Sequence, residues 1–246
     1  MVSPTPEEEA ELDATKAPLL DHLIELRDRI IRSLIAFLIA FLFCYYFANQ
    51  IYDFLVQPLA DAMQGQPNRQ LIYTALYEKF FTNVKVAMFG GICIAFPYIA
   101  SQLWMFIAPG LYRHERNAFL PFLAATPIMF CIGAAFVYYV MMPIAIKFFL
   151  SFEQNGQNGA MPIVLQARVS EYLSFITTLI FGFGLCFQLP VLLTLLGRVG
   201  IITSQQLSSV RRYAIVGIVA VAAIVTPPDV FSQLSLAVPL ILLYEI

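Results

Sequence analysis

Charge is what this sequence has least of. Only 12% of its 246 residues are Asp, Glu, Lys or Arg, while 60% are hydrophobic. A water-soluble domain carries about 25% charged residues, so this surface is not built for water alone, and the remaining solvent is lipid. Histidine is nearly absent, with two residues, and tryptophan occurs once. His22 and His114 lack an i,i+4 partner or a ligand cluster, so no metal centre is expected. The four cysteines, Cys44, Cys93, Cys131 and Cys186, each lie in a different apolar run without CxxC spacing. They read as small packing residues, not as ligands or disulfide partners.

Chemical motifs are missing too. There is no GxxxxGK[ST] loop for a nucleotide, no HExxH, no GxSxG, and no pair of mid-membrane aspartates for intramembrane proteolysis. No basic strip interleaved with aromatics points to nucleic acid. No cofactor is implied, and the chain does not read as an enzyme. A basic-then-apolar secretory leader is not expected, because the N-terminus is acidic. Five acids, Glu7, Glu8, Glu9, Glu11 and Asp13, crowd seven positions. Residues 1–17 are therefore expected to form a disordered acidic tail, and 18–246 the membrane domain.

What is abundant is apolar sequence. A spanning helix takes about 20 residues. Runs at Ser33–Phe54, Val86–Pro109, Ala118–Ile146 and Tyr172–Gly197 meet that length. Tyr213–Val225 and Val230–Leu243 are shorter and are joined by Thr226-Pro227-Pro228-Asp229. The expected fold is an all-α membrane protein with six transmembrane helices, the fifth and sixth short. The third run is longer than a bilayer needs, and Pro121, Pro127 and Pro143 offer points of bending. No internal repeat is visible, which disfavours a transporter built from inverted repeats.

Lysine and arginine set the orientation. With the N-terminus inside, nine fall on its side: Lys16, Arg27, Arg29, Arg32, Arg113, Arg116, Arg198, Arg211 and Arg212. Five fall opposite: Arg69, Lys79, Lys85, Lys147 and Arg168. The bias predicts N-in and, with six spans, C-in.

The charged residues on the inward side carry whatever chemistry there is. Pro18–Arg32 reads PLLDHLIELRDRIIR. Its apolar positions Leu19, Leu23, Leu26 and Ile30 and its polar positions His22, Glu25, Arg29 and Arg32 each recur at helical spacing. This is an amphipathic helix running into the first span. Glu25 reads either as a binding carboxylate or as the i,i+4 partner of Arg29. Glu115, the only acid of the loop Pro109–Arg116, reads either as a site or as a neutraliser of the loop arginines. Gln188 lies mid-span as helix-packing glue or as a docking group. Asp229 reads as a cap to the last helix or as functional.

Three segments give these residues a common reading. They are His22-Leu23-Ile24-Glu25-Leu26-Arg27; Phe106-Ile107-Ala108-Pro109-Gly110-Leu111-Tyr112 with Arg113-His114-Glu115-Arg116; and Thr226-Pro227-Pro228-Asp229-Val230-Phe231-Ser232-Gln233. Together they resemble TatC, the multispanning receptor subunit of the twin-arginine protein translocase, from about residue 18 to 246. The resemblance implies a curved, cup-like bundle in the bacterial inner membrane. It implies a scaffold that takes the Arg-Arg signal peptide of folded cargo at its cytoplasmic face. It also implies TatA- and TatB-type single-span partners, homo- and hetero-oligomers, and transport driven by the proton motive force. By resemblance, Glu25 and Glu115 form the signal site, Arg27 and Phe106 support it, and Asp229 and Gln233 sit in the far-side turn. Gln188 departs from the glutamate common at its position, so a titrating carboxylate is not obligatory there. The competing readings are a small-molecule secondary transporter and a membrane scaffold without a peptide site.

Overall fold

The computed structural model describes residues 6–63, 70–107, 116–154, 161, 163–198, 200, 202–226 and 230–245. These form nine α-helices and one π-helical turn among the described residues. Five helical stretches are long and apolar enough to cross a membrane: His22–Tyr46, Glu78–Phe106, Pro121–Leu150, Val169–Arg198 and Ser204–Val225.

α1 (Pro6–Tyr46) is 41 residues long. Its backbone is helical from Pro6. The expected first span, Ser33–Phe54, is corrected. α1 stops at Tyr46, Phe47 takes φ −97° and ψ 17°, and α2 (Ala48–Ala62) starts afresh. The break has a cause in the pattern. Asn49, Gln50, Asp53, Gln57 and Asp61 fall on one exposed face of α2, while Ala48, Leu55, Pro58 and Leu59 are buried on the other. α2 is thus an amphipathic surface helix. Hydroxyls of Tyr138 and Tyr172 donate to the carbonyls of Phe54 (2.8 Å) and Leu55 (2.9 Å), pinning it to the bundle.

α3 (Glu78–Ile107) returns along α1. Glycine decides their spacing: a Cβ on Gly91 would stand 2.9 Å from the Phe41 Cα, inside contact distance. α4 (Arg116–Phe136) continues through a π turn, Val137–Met141, into α5 (Met142–Leu150). Pro143 explains the turn. It lacks an N–H and crowds the carbonyl four residues back, so the ladder widens and the Met142 N–H bonds to the Val137 carbonyl. α6 (Val169–Cys186) breaks at Phe187–Gln188, ahead of Pro190 near the start of α7 (Leu189–Arg198).

α8 (Ser204–Val225) is 22 residues long, which corrects the expectation of a short fifth span. Its start is fixed by a capping box. Thr203 Oγ1 accepts from the Gln206 N–H, and Gln206 Oε1 from the Thr203 N–H. The helix therefore carries Arg211 and Arg212 inside it, where the apolar run alone placed a boundary. α9 (Val230–Glu245) has 16 residues, about 24 Å at 1.5 Å per residue. It packs antiparallel to α8. Arg211 pairs with Glu245, the Tyr244 hydroxyl donates to the Leu207 carbonyl (2.8 Å), and the Gln233 amide to the Val219 carbonyl (3.3 Å).

The main buried cluster joins α2, α3, the π turn, α5, α6, α8 and α9 around Leu55, Val86, Met142, Ile176, Phe183 and Leu236. A smaller one, Ala100, Trp104, Phe122, Val191 and Leu195, closes the opposite end between α3, α4 and α7. α3, which contributes Ala100 and Trp104 to that second cluster, also carries Gln102, which reaches Arg29 of α1.

Candidate functional site at the near face

Here α1 and α3 meet through polar side chains. Arg29 donates to Glu25 Oε1 from Nη2 (2.6 Å) and from Nε (3.0 Å), one helical turn away. Its Nη1 reaches the side-chain oxygen of Gln102 at 3.4 Å, and Gln102 is buried. The Arg29 side chain is 18% exposed and that of Glu25 35%. The pair is therefore half out of water and fixed from below by α3. Glu25 Oε2 has only His22 Nδ1 beside it, at 4.0 Å, among the described residues. The His22 ring in turn stacks on Phe106, centroids 4.3 Å apart and planes 18° apart.

Glu25 and Phe106, expected as one site, are thus brought together by His22, which sequence reading set aside as a metal ligand and did not place here. Arg27 holds Asp28 Oδ1 through Nε (2.9 Å) and Nη2 (2.7 Å). Glu115 lies outside the described residues, as does Asp229. Gln233 is on α9, where its amide holds the α8 backbone.

Gln188 lies at the α6–α7 break. Its amide donates to the Thr126 carbonyl (3.0 Å) and the Gly184 carbonyl (3.3 Å). The Thr126 hydroxyl accepts from Trp104 Nε1 at 3.0 Å. This polar seam joins α3, α4 and α6 and stands above the smaller core. Gln188 Oε1 is buried and has no hydrogen-bond partner among the described residues.

Sequence reading missed Glu78, which is 6% exposed at the far end of α3. It works as a backbone anchor. Oε2 accepts from the N–H groups of Thr74 (2.8 Å) and Ala75 (3.3 Å). Oε1 accepts from the Ser170 hydroxyl (2.6 Å) and N–H (3.4 Å). Arg168 Nη2 stands 3.7 Å from Oε2. The carboxylate so ties the start of α3 to the start of α6. Beside it, the Ile72 N–H bonds to the Ala167 carbonyl and the Val169 N–H to the Ile72 carbonyl. An acid next to an apolar run was the available signal, but its partner Ser170 lies 92 residues away.

Long apolar helices with a charged cluster at one end define a multi-pass helical membrane protein. The comparisons make that class specific. The family of the Sec-independent protein translocase protein (TatC) matches residues 21–239. The chain is 47% identical over 231 residues to the TatC of Magnetococcus marinus, covering 94% of this chain and 82% of that protein. It is 46% identical to the TatC of Rickettsia prowazekii (92% and 88% covered) and 39% identical to that of Escherichia coli K12 (93% and 86%). A crystal structure described as the twin arginine translocase receptor TatC in DDM superposes with a TM-score of 0.79 at 38% identity, covering 91% of this chain and 96% of that one. The chain belongs to the TatC family and is a protein-transport subunit, not an enzyme.

Proposed function

We propose that the near face receives the paired arginines of a twin-arginine signal peptide, one at Glu25 and one at Glu115. The observation that carries this reading is the state of Glu25. One carboxylate oxygen is held by Arg29, and the other has no donor within hydrogen-bonding distance among the described residues. A guanidinium presents a planar fork and pairs with a carboxylate through two parallel bonds, where an ammonium is a point charge. An incoming arginine takes Oε2 and competes with Arg29 for Oε1. The His22–Phe106 stack supplies an apolar plate beside it, suited to the stem or the flanking apolar residues of the signal. Arg27, exposed and paired with Asp28, supports the site from the same helix.

In this reading the chain is a six-span, N-in and C-in subunit of the bacterial inner membrane. α9 completes the span count by thinning the bilayer locally. The chain organises TatA- and TatB-type single-span partners for export driven by the proton motive force. Gln188 serves as the docking group for a polar side chain of such a partner, supported by its idle Oε1 at a helix break. Asp229 and Gln233 belong to the far-side turn. The test is photocrosslinking from probes flanking Glu25 and Glu115 to an Arg-Arg signal peptide, with Lys-Lys as control. Crosslinks specific to Arg-Arg and lost on charge reversal are expected. Equal crosslinks in all cases argue for a scaffold without a peptide site.

A further inference from the structure

A cleft opens between α3 and α6 near their far ends. Buried Val86 and Leu173 floor it. Its polar rim is Thr82 and Lys85 from α3 with Ser170, Ser174 and Thr177 from α6. Two of these hydroxyls are committed: Ser170 donates to Glu78 and Thr177 to the Leu173 carbonyl at 2.6 Å. Thr82 is not. It is 2% exposed, and its Oγ1 is buried without a hydrogen-bond partner among the described residues. A buried hydroxyl left unpaired costs about 1–3 kcal/mol, so a cleft that keeps one is poised for a ligand. Ser174 is exposed at the rim, and none of the ion pairs among the described residues involves Lys85. One ammonium and two free hydroxyls make a donor set for an anion. Glu78, an anion behind Ser170, is offset by the Arg168 guanidinium 3.7 Å from its Oε2.

Depth says which anion. The stretches Glu78–Phe106 and Val169–Arg198 hold 29 and 30 residues, about 44 Å at 1.5 Å each. A hydrocarbon core is about 30 Å thick, so roughly the outer 7 Å of each end lies among headgroups. Thr82 lies about 6 Å inside the far end of α3 and Ser174 about 7 Å inside that of α6, at the headgroup boundary, while Lys85 is rooted about 10 Å inside and its flexible stem carries the ammonium back up to that boundary. That is the level of lipid phosphates. We propose that this cleft holds the phosphate of a phospholipid from the leaflet opposite the signal-binding face, with Lys85 and Thr82 as its donors and the acyl chains running down the apolar floor.

The experiment is native mass spectrometry of the full chain after reconstitution with phosphatidylglycerol or phosphatidylethanolamine and gentle delipidation. The parent is expected to retain one phospholipid. Lys85→Gln and Thr82→Val should each lower retention by about tenfold, the worth of one hydrogen bond to a charged group. Lys147→Gln, a far-side lysine outside the cleft, should leave it unchanged. Diacylglycerol, which has tails and no phosphate, should not be retained, and excess inorganic phosphate should not displace the lipid. Parent-like retention by both cleft variants overturns the proposal. So does equal retention of diacylglycerol, or displacement by inorganic phosphate, which would make the cleft a free-anion site. If Thr82→Val lowers the melting midpoint, the surface variant Lys85→Gln decides alone.

Discussion

Arg29 already grips the carboxylate of Glu25, Nη2 to Oε1 at 2.6 Å, and is itself steadied by Gln102 of α3. The proposed receptor residue is therefore never a bare charge waiting for a ligand. An incoming arginine exchanges with an internal one. Such an exchange keeps the site's net charge low when empty, and it makes affinity a difference between two similar pairings.

The first prediction follows from that competition. In Arg29→Gln the internal competitor is gone while a polar side chain remains beside Gln102. Half-exposed ion pairs are worth about 0–1 kcal/mol, so binding of an Arg-Arg signal peptide should tighten by about two- to fivefold. Fluorescence anisotropy of a labelled peptide measures it. A loss of binding would mean that Arg29 belongs to the peptide-binding surface itself.

The second concerns a residue with no polar group at all. Gly91 lets α3 approach α1 at Phe41, about 18 Å along α1 from Arg29 by helical rise. Gly91→Leu should push the helices apart, cost about 1–3 kcal/mol by overpacking, and loosen the Arg29–Gln102 contact. Lower melting temperature and weaker signal binding should appear together, with Gly91→Ala intermediate. Parent-like binding in Gly91→Leu would show that the near face is held by α1 alone.

The third separates assembly from recognition. Gln188→Leu removes two amide donors to Thr126 and Gly184 and the idle acceptor. Co-purification of single-span partners should fall several-fold, while signal crosslinking at Glu25 changes by less than about twofold, as expected for distant sites that act independently. Equal loss of both would point to general misfolding.

The fourth tests the missed anchor. Glu78→Ala strands the N–H groups of Thr74 and Ala75 and the Ser170 hydroxyl. It should lower the melting midpoint more than Glu78→Gln, whose amide keeps one acceptor oxygen. Neither should alter Arg-Arg selectivity. Equal midpoints for parent and Glu78→Ala would remove Glu78 from the account of the α3–α6 junction.

These residues also show what the sequence made legible. The Glu25–Arg29 pairing follows from i,i+4 spacing, and three ordered motifs carried the family. The break at Phe47 was hidden because the apolar run continues past it. What ends α1 is the exposed polar face of α2, a helix expected as the tail of a span. α8 was read short because hydropathy marks where lipid begins, whereas the Thr203–Gln206 capping box marks where the helix begins. Glu78 stayed invisible because its donors come from both its own turn and an element 92 residues on. His22 was legible as a polar position, but its stack on Phe106 depends on how α1 and α3 pack.

The most direct test of the central claim, one carboxylate per arginine, is a double-mutant cycle. Dissociation constants would be measured for Arg-Arg, Lys-Arg, Arg-Lys and Lys-Lys signal peptides against the parent, Glu25→Gln and Glu115→Gln proteins. The account predicts that Glu25→Gln abolishes discrimination at one arginine position and keeps it at the other. Glu115→Gln should show the opposite pattern. Each coupling should be about 1.5–3 kcal/mol, the range of a hydrogen bond to a charged group. Undiminished preference for Arg-Arg over Lys-Lys in both variants would contradict it.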